Sequence, residues 1–296
     1  MRGFRWMMPL AALLASGLLV APASAQDCDR ACLSGMITQY VEAIVAQDPS
    51  ALPLADKVKV TQDGRDAVLG EGIWKEITGK STFRHDYVDT TKHLAATHVH
   101  LLAGDQPVLY SLVLHMDGRR IAGIETLVQR VEPDSRPRPT ELVRPVRGMD
   151  DPVPAGQRMS RADMVATALT YAEGLRVGNF TDGGARFAED AYRVENGAIL
   201  AGEGCGRDDC GLYSQNIIVH PGIIPSVVAV DEENGTVLLW MNFGDTGSYG
   251  ENRALVAYES FKVWGGEIHS INAFFAFLPA NTARYWPSSD PVPRIY

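Results

Sequence analysis

The sequence predicts an α+β protein made of two halves of one design, each an antiparallel sheet with a helix covering its open face. Three observations predict it. A proline-rich stretch divides the chain, the same order of segments recurs on either side, and every segment after each helix is short, alternating and bounded by turn residues.

The chain has 296 residues and opens MRGFRWMMPLAALLASGLLVAPASAQDC. Two arginines, an apolar run and Ala23-Ser24-Ala25 form the pattern of a secretory signal peptide, residues 1–25, cleaved after Ala25. The expected mature protein is exported, periplasmic or secreted. No later run approaches the roughly 20 apolar residues of a spanning helix, so no membrane partner is expected. The formal charge of −9 becomes −11 once Arg2 and Arg5 are removed, which disfavours nucleic acid and anionic lipid as partners.

The first half, 26–131, begins with the helical stretch CLSGMITQYVEAIVAQD. Met36, Ile37, Tyr40, Val41, Ile44 and Val45 recur there at spacings of three and four, which makes one buried stripe. A hairpin follows in LADKVKVTQDGRDAVLGEG. Its Asp63-Gly64 fits a type I′ turn, so Asp63 is assigned to structure. A short helix around Gly72 to Gly79 leads into the alternating segments THVHLLAG, VLYSLVLHMDG and IAGIETLVQR. Residues 132–158 carry the prolines and no apolar period; they read as an extended linker laid over the surface.

The second half, 159–280, repeats the order. Its helix, ADMVATALTYAEGLRVGN, has a stripe of Met164, Val165, Ala168, Leu169, Ala172 and Leu175. The hairpin FAEDAYRVENGAILAGEG turns at Asn196-Gly197, and SVVAVDEENG, TVLLWMNFGD, ALVAYESFKVWGG and IHSINAFFAF complete the meander. Residues 281–296 form a tail. The four cysteines fall into two close pairs, Cys28/Cys32 and Cys205/Cys210. Three pairings exist on paper. Local disulfides are favoured in an exported chain over a four-thiolate zinc site, whose knuckle signature is missing.

CDRACLSGMITQYVEAIVAQDPSALPLA, TQDGRDAVLGEG and IAGIETLVQR in the first half, with FAEDAYRVENG and IHSINAFFAFLP in the second, resemble the SnoaL-like, nuclear-transport-factor-2-like superfamily. The resemblance implies a tandem member: two cone-shaped domains, each a strongly curved antiparallel sheet wrapped around a long N-terminal helix with a pocket at the wide end, packed as a pseudo-dimer. It also implies small-molecule ligands. Members include cofactor-free lyases, dehydratases and isomerases as well as pure binding proteins, so the fold implies a pocket without dictating a reaction.

Four of the seven histidines lie in FRHDYVDTTKHLAATHVH: His85, His93, His98 and His100. On a strand, His98 and His100 share one face while Val99 and Leu101 take the other. If the histidine face lines the first cup, His98 and His85 are placed to exchange a proton, Asp89 to orient an imidazole, and Tyr40 to hold a substrate oxygen. Tyr87, His100, Trp74, Tyr110 and Glu125 are the expected substrate contacts. His-x-His is also a metal-ligand spacing, but no flanking carboxylate signature accompanies it, and neither metal nor other cofactor is expected. The plain readings are a core tyrosine at Tyr40, a turn or cap at Asp89, a lid over the core at Trp74, and a solvated histidine edge. In the second half Arg193, Glu195, His220, Tyr258, His269 and Asn272 stand out, with Arg193 and Glu195 two apart and able to pair with each other.

The sequence thus leads to an exported, cofactor-independent lyase, dehydratase or isomerase acting by acid/base chemistry on a small apolar or aromatic hydroxylated molecule. A non-catalytic binding protein and a structural tandem scaffold are the alternatives. A homodimer is compatible with either. His98 and His85 converging on one enclosed void is the observation that separates them.

Overall fold

The computed structural model describes residues 28–135, 139–140, 142 and 146–293. The expected signal peptide lies outside the described residues. In the first half, α1 (Arg30–Val45) precedes β1 (Leu54–Gln62), β2 (Arg65–Asp66), β3 (Gly79–Asp89), β4 (Leu94–Ala103), β5 (Gln106–Asp117) and β6 (Arg120–Arg130). In the second, α2 (Arg161–Val177) precedes β7 (Phe187–Glu195), β8 (Ala198–Ala201), β9 (Ile224–Asp231), β10 (Thr236–Asn242), β11 (Arg253–Trp264) and β12 (Glu267–Pro279). Each half gives one six-stranded sheet. The orders are β2-β1-β6-β5-β4-β3 and β8-β7-β12-β11-β10-β9. Each is antiparallel except where β1 meets β6 and β7 meets β12, which run parallel.

Local chemistry sets the boundaries. Asp29 caps α1 by accepting a bond from the Cys32 amide, Ser160 caps α2 through the Asp163 amide, and α2 stops at Gly178 with φ 79°. The two hairpin turns have positive φ at both central residues, Asp63-Gly64 and Asn196-Gly197, as a type I′ turn requires. Each turn's acidic or amide side chain then pins the neighbouring long strand. Asp63 Oδ1 accepts from the Val128 amide, and Asn196 bonds both the amide and the carbonyl of Phe275.

The expected fold class needs correction. The protein is mostly β, and α1 and α2 are only 16 and 17 residues long. Neither is a long helix wrapped by its sheet: α1 packs on β3 and β4, and α2 on one face of β9 to β12. The physical reason is that both faces of each sheet are occupied. One carries the helix, over a core that includes Leu33, Ile37, Val99, Leu101 and Leu112 in the first half and Met164, Leu239, Phe261 and Ile271 in the second. The other face packs against the opposite sheet through Tyr87, Ala96 and Val113 on one side and Leu238, Trp240 and Val256 on the other. The result is a four-layer stack of helix, sheet, sheet and helix.

Reciprocal ion pairs fasten the stack. Asp89 ends β3, is fully buried, accepts from Arg161 at 2.6 and 3.0 Å, and takes the Val230 amide at 2.9 Å. Asp231 ends β9, is equally buried, accepts from Arg30 at 2.7 and 2.8 Å, and takes the Val88 amide at 3.1 Å. Each half therefore supplies the first helical arginine that neutralises the other's aspartate. The linker is held by Lys262, whose ammonium donates to the carbonyls of Met149, Asp151 and Asn234. The tail crosses back to the first half: Arg284 pairs with Glu125, and Trp286 stacks on His115 at 3.8 Å, close against Gly123, where any Cβ would collide with the indole.

Candidate functional site

The first cup, enclosed by α1 and the inner face of its sheet, is filled. Tyr40 on α1 and Tyr110 on β5 join hydroxyls at 2.9 Å, and Trp74 Nε1 donates to Tyr40 at 3.2 Å. All three are buried, with Tyr40 and Tyr110 each 1% exposed. Burial pushes the Tyr40 phenol up to about 12 and the Tyr110 phenol well above its usual value, so both stay protonated and satisfy one another. The expected contacts Tyr40, Trp74 and Tyr110 do meet, but as a packed aromatic trio.

The histidines do not join them. Val99 and Leu101 enter the core under α1, so alternation sends His98 and His100 to the opposite face, toward the second half. His85 and His98, 2% and 0% exposed, lie buried between the sheets and not in the cup. His98 Nδ1 takes a bond from Asn272 Nδ2 at 2.9 Å, lies 3.1 Å from the Tyr87 hydroxyl, and stacks its ring on Phe274. Tyr87 in turn bonds the Ser260 hydroxyl at 2.8 Å. Desolvation, with His85 alongside, holds His98 well below its usual value and therefore neutral. His85 Nδ1 stands 2.9 Å from an Asp150 oxygen on the linker. Asp89 orients no imidazole; it belongs to the clasp with Arg161. Glu125 is held at 2.5 Å by Arg284 and contacts His115 at 3.2 Å. His100 is half-buried at the same interface, near Leu142.

The second cup is different. The register β7–β12–β11 places Glu195 beside Ala273 and Ala273 beside Glu259, all on the inner face under α2. Arg193 shares that face two residues earlier. Its Nε meets Glu195 at 3.0 Å, one Nη donates to the Tyr171 hydroxyl at 3.1 Å, and the other donates to Gln215 at 2.5 Å. Tyr171, Arg193, Glu195 and Glu259 border a cavity of about 230 Å³ whose other walls include Leu200, Ile217, Phe243, Leu255 and Phe275. At its rim, His220 Nδ1 donates to the Phe243 carbonyl at 3.2 Å, which leaves Nε2 to accept from the Tyr249 hydroxyl at 3.2 Å.

Glu259 is 2% exposed. Burial first, then the neighbouring Glu195 charge, push its carboxyl up to about 8, against the opposing pull of Arg193 and the Tyr171 hydroxyl. Around neutral pH it therefore carries a proton while Glu195 is paired with Arg193. A protonated acid and an ion-paired carboxylate then face one cavity, the kind of separation that lets two carboxyls take different roles. Arg193, Glu195 and His220 were visible candidates in the sequence, whereas Glu259 and Tyr171 were not singled out. The signal for Glu259 lay in ALVAYESFKV, where it occupies the face otherwise held by Leu255, Ala257, Phe261 and Val263. Among the described residues, no three His, Cys, Asp or Glu side chains are grouped to hold a metal ion.

One comparison with known proteins falls within the second half. Residues 157–275 match a family model, DUF8021, a domain of unknown function. That span holds α2, the inner face of β11 and the seven polar side chains just described, Tyr171, Arg193, Glu195, Gln215, His220, Tyr249 and Glu259. No curated protein sequence matches the chain. Among solved structures, the chain is similar to one described as a putative ketosteroid isomerase from Kribbella flavida, at 13% identity, over 38% of this chain and 95% of that one, with a TM-score of 0.29. A likeness at that level carries neither activity nor substrate to this protein. The expected cysteine pairs are both formed, Cys28–Cys32 and Cys205–Cys210, and they suggest an oxidising environment. Among the described residues no helix is long and apolar enough to cross a membrane.

Proposed function

We propose that the second cup is a small-molecule acid/base site, and that the protein is an exported, cofactor-independent enzyme of the lyase, dehydratase or isomerase kind. The observation that carries this is Glu259: a carboxyl pushed up to about 8 on the wall of a cavity otherwise lined mainly by apolar side chains. An acid tuned near the working pH holds and releases a proton most effectively. Buried titratable groups shifted in this way mark functional sites more often than plain core. The cavity is smaller than the roughly 300 to 1,000 Å³ of drug-sized sites, which favours a compact ligand or the polar end of a longer one.

In this reading Glu259 delivers a proton to, or takes one from, an oxygen-bearing carbon of the substrate. Arg193 binds the oxygen as charge develops on it, with Glu195 holding the guanidinium in place. Tyr171 is a positioning residue that orients Arg193, and His220 with Tyr249 closes the rim. The catalytic roles expected of His98, His85 and Asp89 pass to these residues, because the first three lie in the inter-sheet layer.

Untargeted turnover tests the reading. Purified mature protein is incubated with a metabolite extract and depletion is followed by mass spectrometry, in parallel with Glu259→Gln, which keeps the shape but cannot lose a proton. Depletion by the wild type and at least about a hundredfold slower depletion by the variant are expected, in line with the usual worth of a general acid or base. Equal depletion by both removes Glu259 from the chemistry. Retention of a compound on the wild type without turnover makes the cup a binding site only.

A further inference from the structure

A second cavity adjoins the second cup. A neighbouring cavity of about 280 Å³ shares three wall residues with it, Glu195, Leu200 and Phe275. The far wall of this second chamber comes from the other half of the protein: Leu109 of β5, Gln129 of β6, and Val131 just past β6. A row of aromatic rings runs along the walls of both spaces. Tyr249 at the cup's rim lies 5.4 Å from Phe277, and Phe277 lies 5.6 Å from Phe275.

Charge is unevenly divided along this path. The cup holds Arg193, Glu259 and His220 in addition to Glu195. In the outer chamber Glu195, at the junction, is the only ionisable side chain among the described lining residues, and Leu109, Val131, Leu200, Phe275 and Phe277 make half of the lining. Phe277 is 40% exposed, although its neighbours offer it a largely apolar trough. A ligand that matched this pattern would be polar at one end only.

We propose that the site takes an elongated amphipathic molecule. Its oxygen-bearing end sits at Arg193 and Glu259, and its apolar chain passes over Phe275 into the chamber shared with the first half. The inference rests on the acid/base reading of the cup only for where the polar end is placed. It gives the first half a role in the site: Leu109, Gln129 and Val131 select for chain length while supplying no reactive group.

Methyl ketones of increasing length, from butanone to methyl heptyl ketone, are the probes, with binding followed by titration calorimetry or ligand-observed NMR. Affinity is expected to rise by about three- to fourfold for each methylene, the usual gain for an added buried CH₂, and to keep rising after the chain has outgrown the cup. Gln129→Trp, a change at a half-buried position that fills the outer chamber, is expected to cut the gain for the longer ketones. Val131→Trp is a second variant with the same expectation, and circular dichroism reports whether each folds. A wild-type affinity that stops rising once the cup is full overturns the elongated ligand, as do folded tryptophan variants that bind long ketones like the wild type. Short-ketone affinity unaltered by Glu259→Gln and by Arg193→Met instead removes the reading of the cup itself, and binding of no ketone at all removes both.

Discussion

The two cups are built on one plan, and the differences at two aligned positions go with one being solid and the other hollow. Equivalent residues follow from the strand pairings. Tyr110 opposes Val99 in the first sheet, as Ala257 opposes Met241 in the second, while Leu112 and Glu259 each lie two residues further along their strands. On the helices, Arg30 and Arg161 both begin the element and both enter a clasp, which aligns Tyr40 with Tyr171. The helical tyrosine is thus common to both cups. In the first it bonds Tyr110 and Trp74. In the second, alanine stands where Tyr110 would fill the space, and the tyrosine turns to Arg193. One ring lost and one carboxyl gained, Leu112 against Glu259, convert a core into a site. The general lesson is that a buried hydroxyl takes whatever partner its surroundings supply, and function follows from which partner is left there.

Refilling the hollow cup is the harshest test of this comparison. Ala257→Tyr is expected to abolish ligand binding and turnover while the protein stays folded, measured by the depletion assay and by thermal melting. If the variant retains activity, the cavity is not the site.

Emptying the solid cup is the converse. Tyr110→Ala is expected to cost about 3 to 5 kcal/mol in a denaturant titration, because a large buried ring is removed and Tyr40 loses its hydroxyl partner. Cleaving the clasp with Asp89→Ala is expected to cost a similar amount, about 3 to 5 kcal/mol, since Arg161 is left beside Asp290 with one buried anion gone. A loss below about 1 kcal/mol for Asp89→Ala would mean that the sheet-to-sheet contacts hold the stack without the ion pairs.

The pH dependence separates the halves more finely. Glu259 is raised from 4.5 to about 8 in the folded state, so between those values the folded protein holds a proton that the unfolded chain has released. Its contribution is fully present below about 4.5 and is lost as the pH rises through about 8. Stability of the wild type relative to Glu259→Gln is therefore expected to fall across that window by a few kcal/mol, on the order expected for a shift of this size. The effect of His98 has the opposite sign. Its folded value lies well below 6.5, so its contribution is present above 6.5 and lost as the pH falls. The smallest effect is on function: His98→Asn is expected to flatten the acid side of the stability curve and leave the depletion rate within about twofold of wild type. A hundredfold loss of rate would return chemistry to the inter-sheet layer.

Much of the fold was legible because local rules decide it. The two type I′ turns and the two disulfides follow from residue chemistry within a few positions. The overall class was misjudged, since nothing local to TQYVEAIV or to THVHLL says what covers the other face of the sheet. The alternation at Val99, His98 and Leu101 was read correctly as two faces. Which of them met the helix depends on residues such as Trp240 and Phe274, more than 130 positions away. The same limit hid the site. Arg193, Glu195 and His220 were noticed one by one, but only the pairing of β7, β12 and β11 brings Glu195 near Glu259. A charged residue interrupting the apolar face of a buried strand was the available signal, and it takes on meaning once the equivalent Leu112 is set beside it.

Lys262 has a consequence for experiment. Its side-chain nitrogen is enclosed by three main-chain carbonyls and the residue is 1% exposed. An amine-reactive label has no access to it in the intact molecule, whereas Lys57, out on β1, is open to attack. The ratio of modification at the two lysines, read by peptide mapping, is therefore a built-in gauge of how often the linker lifts away from the second sheet.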